Sequence, residues 1–187
     1  MKNLFVVFLG LYLLTSFTFG QSELKQSTFS INGTISYTSN YEESSDMDNS
    51  IFIFDPRFDF FVMDNFSLGL MLNYQNNSFF GNNNSSWGIG PSARYYFNFD
   101  RIKPFAGIGY SYVTENAIYS NDDIINNNII LNLGVDYFLT EDVALETIIK
   151  YTFINSKLPD EYSAFYSDLN VSKKSLSIGL GVNVFIR

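Results

Sequence analysis

The chain has 187 residues, a formal net charge of −8, 18% aromatic residues, and neither Cys nor His. That length fits one domain, and the missing residue types exclude disulfide scaffolds, Cys/His zinc sites and His- or Cys-based catalytic triads. Eleven Lys and Arg against nineteen acids cannot build the basic patch that nucleic acid requires.

Residues 1–20, MKNLFVVFLGLYLLTSFTFG, read as a secretory signal. Lys2 is the positive region, Leu4 to Leu14 the apolar stretch, and Thr18 and Gly20 the small residues before a cleavage at Gln21. The apolar run is shorter than the ~20 residues a spanning helix needs. No Cys follows it, so a lipid-anchored form is not expected. The mature domain is expected to be 21–187.

From there the chain alternates with period two, the signature of strands with one apolar and one polar face. In 29–37, Phe29, Ile31, Ile35 and Tyr37 oppose Ser30, Asn32, Thr34 and Ser36. In 51–62, Phe52, Phe54, Pro56, Phe58 and Phe60 oppose Ile53, Asp55, Arg57, Asp59 and Phe61. Run 66–75 sets Phe66, Leu68, Leu70, Leu72 and Tyr74 against Ser67, Gly69, Met71 and Asn73. Run 86–97 sets Trp87, Ile89, Pro91, Ala93, Tyr95 and Phe97 against Gly88, Gly90, Ser92, Arg94 and Tyr96. In 104–114, Ala106, Ile108, Tyr110 and Tyr112 oppose Gly107, Gly109 and Ser111. Run 128–138 places Ile129, Leu131, Leu133, Val135 and Tyr137 opposite Asn132, Gly134 and Asp136. Run 143–153 places Leu145, Ile149, Tyr151 and Phe153 opposite Ala144, Glu146 and Lys150. In 174–186, Leu176, Ile178, Leu180, Val182, Val184 and Ile186 oppose Ser175, Ser177, Gly179, Gly181 and Asn183.

The apolar faces read as free of charge. Eight strands of about ten residues suit a tilted crossing of a bilayer. Pro56 and Pro91 lack a ladder donor, so each predicts a bulge or a lost hydrogen bond. The connections alternate as well. Segments 38–50, 76–85, 115–127 and 154–173 are long and polar; 63–65, 98–103 and 139–142 are short. This predicts an all-β, eight-stranded antiparallel up-and-down transmembrane barrel with both termini at the short-turn end.

Alternation alone does not say which face is outside. A secreted soluble β-barrel or lipocalin-like binder would turn the apolar face inward. Aromatics at the strand ends favour the membrane arrangement, because lipid–water interfaces select them. One girdle is expected from Tyr37, Phe52, Tyr74, Trp87, Tyr112, Tyr151 and Phe153 at the long-loop end. The other is expected from Phe60, Phe66, Tyr95, Phe97 and Tyr137 at the short-turn end.

The stretch Phe60 to Leu70, FFVMDNFSLGL, nearly repeats as Tyr137 to Glu146, YFLTEDVALE. With Gly88 to Phe97 and Lys103 to Tyr110, it resembles the small eight-stranded porin-family or OmpA-like outer-membrane barrels, particularly those of Bacteroidetes-type bacteria. The resemblance spans the mature chain and implies fold and compartment far more than activity. The end, Gly181 to Arg187, is similar to the insertion signal of such barrels but closes on Arg instead of an aromatic.

On this fold the inward charges are Asp55, Arg57, Asp59, Arg94, Asp136, Glu146 and Lys150. An eight-stranded barrel is just wide enough for side chains, and buried charges persist there when paired, so these residues read as a structural lumen network. Asp55 and Asp59 have the residue type for acid–base work but no companion substrate site. The loop acids Glu42, Glu43, Asp46, Asp48, Asp122, Asp123, Asp160, Glu161 and Asp168 match no calcium-loop spacing. No catalytic residue, cofactor or metal is expected. The expected partners are outer-membrane lipid and an extracellular or host-surface partner at the loops. The leading reading is a non-catalytic barrel with a structural or surface-interaction and adhesion role. An OmpW-like narrow channel for small or apolar molecules is the alternative.

Overall fold

The computed structural model describes residues 24–42, 47–79, 82–116, 123–159 and 169–187, without the side chains of 37–42, 47–50, 77–79, 82 and 83. The signal segment, Tyr37's side chain and the loop acids therefore lie outside the described residues, except for Asp123 and the backbones of Glu42 and Asp48. Eight strands follow in order: β1 (Phe29–Glu42), β2 (Met47–Met63), β3 (Phe66–Phe79), β4 (Asn82–Tyr96), β5 (Ile102–Glu115), β6 (Ile124–Phe138), β7 (Val143–Lys157) and β8 (Asn170–Ile186). Each pairs antiparallel with its sequence neighbour, and β1 pairs with β8 to close the barrel.

The apolar faces point out. Leu68, Leu70, Ile89, Ile108, Leu131, Leu133, Leu145, Leu180 and Val182 are exposed, while Ser30, Asn32, Arg57, Asp59, Arg94, Asp136 and Glu146 are buried. That is the reverse of a soluble barrel, and it places apolar side chains where lipid lies and backbone polar groups in a closed ladder.

The strands run to 14–17 residues, longer than the predicted runs. The difference lies at the long-loop end, where residues expected in loops continue as paired hairpins. Tyr41 pairs with Asp48, Ser78 with Asn83, and Ser156 with Val171. Above the lipid both strand faces are wet, so polar side chains stand on both and the alternation that marks a strand disappears, while the ladder continues.

The short-turn end follows local chemistry. Asp64 and Asn65 join β2 to β3, and Asn65 has φ 62°, a left-handed conformation that Asn tolerates well. Pairing shifts register between Phe61 and Met63, the bulge expected beside a left-handed turn residue. At the two prolines there is no bulge. The β2–β3 ladder skips from Phe54↔Tyr74 to Arg57↔Met71, and the β4–β5 ladder from Ile89↔Tyr112 to Ser92↔Gly109, both in unchanged register. Each proline interrupts one ladder and leaves the other intact. At the second gap Gly90 is required, since a Cβ there would stand 1.8 Å from the Tyr110 carbonyl oxygen.

Two residues correct the expected charge map. Lys174, at the start of the eighth run, lies on the outward parity and is exposed, so that face is not wholly free of charge. Lys103, expected in a turn, is the second residue of β5 and is fully buried in the lumen. Ladder pairing past the end of the apolar run draws Lys103 into its strand, opposite Asp136.

Candidate functional site: a lumen closed at one end

The lumen is layered. At the short-turn end, aromatic rings fill it. Phe61 lies 5.6 Å from Tyr96 and 6.2 Å from Phe185; Tyr96 lies 5.4 Å from Phe105, and Phe138 stacks on Phe185 at 5.0 Å. Leu24 enters this cluster from the segment before β1 and is fully buried. Its carbonyl accepts from Asn65 N at 2.7 Å, Gln26 N donates to Asp64 Oδ1 at 2.8 Å, and Ser27 N donates to the Phe61 carbonyl at 2.8 Å. The first described residues are thus stitched across the mouth.

Above the rings sits a charged layer. Glu146 is its centre. Arg94 approaches it with two nitrogens, Nη1 at 2.5 Å from Oε2 and Nη2 at 3.3 Å from Oε1. Arg57 Nη2 is 3.7 Å from the same Oε2, while Arg57 Nε is 2.6 Å from Asp59 Oδ2. The Thr34 hydroxyl reaches Glu146 Oε1 at 3.1 Å and Asn32 Oδ1 at 2.9 Å. Gly69 leaves room for Asp59, whose Oδ1 lies 2.0 Å from where a Cβ would be. Arg94 also lies over the Phe105 ring at 4.0 Å, joining this layer to the one below.

Asp136 takes no arginine. It accepts from Asn183 Nδ2 at 3.0 Å and stands opposite Lys103 across β5–β6 and opposite Glu146 across β6–β7. Lys103 bonds Asn98 and lies 5.6 Å from the Phe138 ring. Arg57, Arg94 and Lys103 therefore face Asp59, Asp136 and Glu146 in a buried set of balanced charge. Such balance is what a dry interior demands, because an unpaired ion there is costly.

Higher up the lumen is open. Asp55 and Lys150 pair there, and Asn73 Nδ2 donates to Asp55, all three half-buried. Around them is a cavity of about 110 Å³, walled by Met71, Ile130, Ile148, Asn128, Thr152 and Ser177 among others, with Arg57 and Arg94 at its floor. The expected lumen residues thus divide in two: Arg57, Asp59, Arg94, Asp136 and Glu146 are buried together, while Asp55 and Lys150 form a separate pair. Asp55 and Asp59 are engaged by different cations and do not form a carboxylate pair. Among the described residues no group of three His, Cys, Asp or Glu could hold a metal ion.

The sequence reading put Asn183 on the polar face without giving it a site role, and missed Lys103, Leu24 and the rings of Phe105, Phe138 and Phe185. Parity held the signal for all but Leu24: positions 103 and 105 continue the inward series 107, 109 and 111, position 138 continues 132, 134 and 136, and position 185 continues 181 and 183. Leu24 precedes any strand, and nothing local marks it as a plug.

Of the expected girdle residues, Phe52, Trp87, Tyr112, Tyr151, Phe60, Tyr95, Phe97 and Tyr137 are exposed; Phe66, Tyr74 and Phe153 are half-buried by neighbouring rings or strands. Tyr74 meets Trp87 at 4.4 Å, Tyr151 meets Phe153 at 5.0 Å, and Tyr95 meets Phe97 at 5.3 Å. Phe54, Phe58 and Tyr110 are also outward, between the two ends, so aromatics are not confined to the rims.

The family model for the outer membrane protein β-barrel domain matches residues 9–183. No curated protein matches the sequence significantly. Among solved structures, the N-terminal β-barrel domain of Pseudomonas aeruginosa OprF is similar at 14% identity, covering 86% of this chain and 98% of that one, with a TM-score of 0.56. Neisserial surface protein A is similar at 17% identity over 84% and 95% of the two chains, with a TM-score of 0.52. OprG from Pseudomonas aeruginosa aligns at 14% identity over 87% and 97%, with a TM-score of 0.50. At these identities the likeness is one of fold.

Proposed function

Because the chain belongs to the outer membrane protein β-barrel domain family and so to the bacterial outer membrane, we propose that it is a non-catalytic barrel. It serves as membrane structure or by surface contact through its long-loop end, after removal of residues 1–20. The observation that carries this reading is the closed lower lumen: a fully buried ion layer resting on packed rings supports no continuous water path. Its carboxylates are held by Arg57, Arg94 and Asn183 and have no free proton-transfer role. Contact then falls to the outward face, against lipid, and to the hairpins above it, which a rigid scaffold presents to an extracellular or host surface.

Mass spectrometry of the purified protein tests the cleavage before Gln21. Gel mobility with and without boiling tests the barrel, since a closed ladder resists SDS until heated. Planar-bilayer recording tests the closed lumen, with silence expected. Binding to host-cell surfaces, lost on trimming 158–169, tests the loop role and spares β7 and β8.

A second reading, a narrow channel for small or apolar molecules, draws support from the cavity above Arg57 and Arg94. Steady, reproducible conductance from the purified protein would favour it.

A further inference from the structure

The cations of the long-loop end gather on one hairpin. Lys157, Lys173 and Lys174 lie on β7 and β8, whereas segments 38–50, 76–85 and 115–127 hold no Lys or Arg. The other eight Lys and Arg fall in the signal segment, in the lumen or at the short-turn end. In a chain whose net charge is −8, positive charge at this end is thus confined to one pair of strands.

Register arranges that charge. The β7–β8 ladder is continuous from Val143↔Val184 to Lys157↔Asn170. On its outward parity the pairs change character in order, going up. Ile149↔Ile178 and Tyr151↔Leu176 are apolar or aromatic and exposed to lipid. Phe153↔Lys174 follows, then Asn155↔Ser172, then Lys157↔Asn170. Lys174, Asn155, Ser172 and Lys157 are all exposed. Lys173 has the inward parity and is not part of this face.

The lowest polar rung sits where lipid meets water. Lys174 Nζ lies 6.0 Å from the Phe153 ring, and Phe153 meets Tyr151 edge-on at 5.0 Å. Aromatic rings at the end of an apolar band sit at headgroup level. One rung higher, Ser172 Oγ donates to Asn155 Oδ1 at 2.9 Å, which commits the amide oxygen and leaves the amide NH2 as a donor. Lys157 stands four residues above Phe153, roughly 13 Å along the strand. Two ammonium groups with hydroxyl and amide between them are therefore set out over about the span of a two-sugar headgroup, directly above an apolar face.

We propose that the outward face of the β7–β8 hairpin binds a phosphorylated glycolipid of the outer leaflet. Its phosphates sit at Lys174 and Lys157, where each oxygen accepts a charge-assisted hydrogen bond. Its sugar hydroxyls meet Asn155 and Ser172, and its acyl chains lie along Leu176, Ile178 and Ile149. This inference rests on the barrel's place in the outer membrane with the long-loop end outward, and it names the lipid chemistry that one hairpin selects.

The test uses the full mature chain in non-ionic detergent micelles, with lipid A, a bisphosphorylated disaccharide lipid, as probe. Native mass spectrometry reads the bound fraction. Dephosphorylated lipid A is expected to bind at least about tenfold more weakly. A Lys at an anionic lipid surface is worth about fivefold in affinity, so K157M and K174M should each weaken lipid A binding about that much. K157M/K174M should weaken it more than about tenfold. N155A/S172A should weaken lipid A binding several-fold and leave phosphatidic acid binding unchanged. K25M/R101M, at the short-turn end, should change neither. Unchanged binding by K157M/K174M, equal binding of the dephosphorylated probe, or equal loss in K25M/R101M overturns the proposal. Equal loss of phosphatidic acid binding in N155A/S172A overturns the sugar contact. Displacement of lipid A by millimolar inorganic phosphate also overturns the proposal, by assigning the lysines to a free anion. Loss of binding in D160N/E161Q/D168N overturns it too, by assigning the lipid to loop acids through a bridging cation. Heat-modifiable mobility is measured on every variant, so failure of the lipid site is distinguished from failure of the barrel.

Discussion

The lower and upper halves of the lumen are built from similar residue types and behave differently. Below, Arg57, Arg94 and Lys103 lie with Asp59, Asp136 and Glu146, all of them buried, and the rings of Phe61, Tyr96, Phe105, Phe138 and Phe185 lie beneath. Above, Lys150 and Asp55 make the same kind of pair beside a cavity, and the β1–β8 ladder has already ended. The same ion pair chemistry therefore has two meanings. In the dry layer each charge holds its partner in place, and losing one leaves an ion with no solvent to receive it. In the upper layer water stands in for a lost partner. Buried ion pairs and packed rings are concentrated at the short-turn end.

The sharpest way to break this comparison is Glu146→Ala. It strands Arg94 and removes Arg57's second acid, and removing one partner of a buried pair typically costs ~3–5 kcal/mol. Urea unfolding in detergent micelles measures it, and a loss near zero would mean that the lower layer is wet. The outer face supplies the next test. Leu133→Arg and Leu70→Arg place a charge in the apolar band and should each cost ~2–4 kcal/mol in vesicles, the midplane penalty. A negligible cost would turn the barrel inside out. The upper layer should respond least. Lys150→Met is expected to cost about 1 kcal/mol or less, the range of solvated pairs, by the same unfolding assay. Asn73→Ala, which removes the hydrogen bond to Asp55, should also stay near about 1 kcal/mol. If Lys150→Met costs as much as Glu146→Ala, the two halves are not different in kind.

Much of this was legible in the chain because a barrel records itself with period two. Phe58, Phe60, Leu68, Leu70, Leu131 and Leu133 announce an apolar face, and Arg57, Asp59 and Arg94 fall on the other face without knowledge of neighbours. The Asp64–Asn65 turn is equally local. Strand ends were less legible. Tyr41, Ser78 and Ser156 read as loop because solvent on both faces erases the alternation, yet they pair across hairpins. Lys103 read as a turn residue because the apolar run opens after it.

By itself, then, the sequence determined eight strands, their order, the polarity of their faces and the outer-membrane family, all consequences of side-chain periodicity and turn chemistry carried by near neighbours. Only the tertiary structure decided the rest. Which acid meets Arg94 depends on β4 and β7 facing each other across the lumen, 52 residues apart in the chain. Leu24 becomes a plug because β2, β3 and β4 bring their ends around it. The closing ladder stops at Ile35↔Leu180 because β1 and β8 meet only when the barrel shuts, and no local pattern in either strand encodes how far their edges run together.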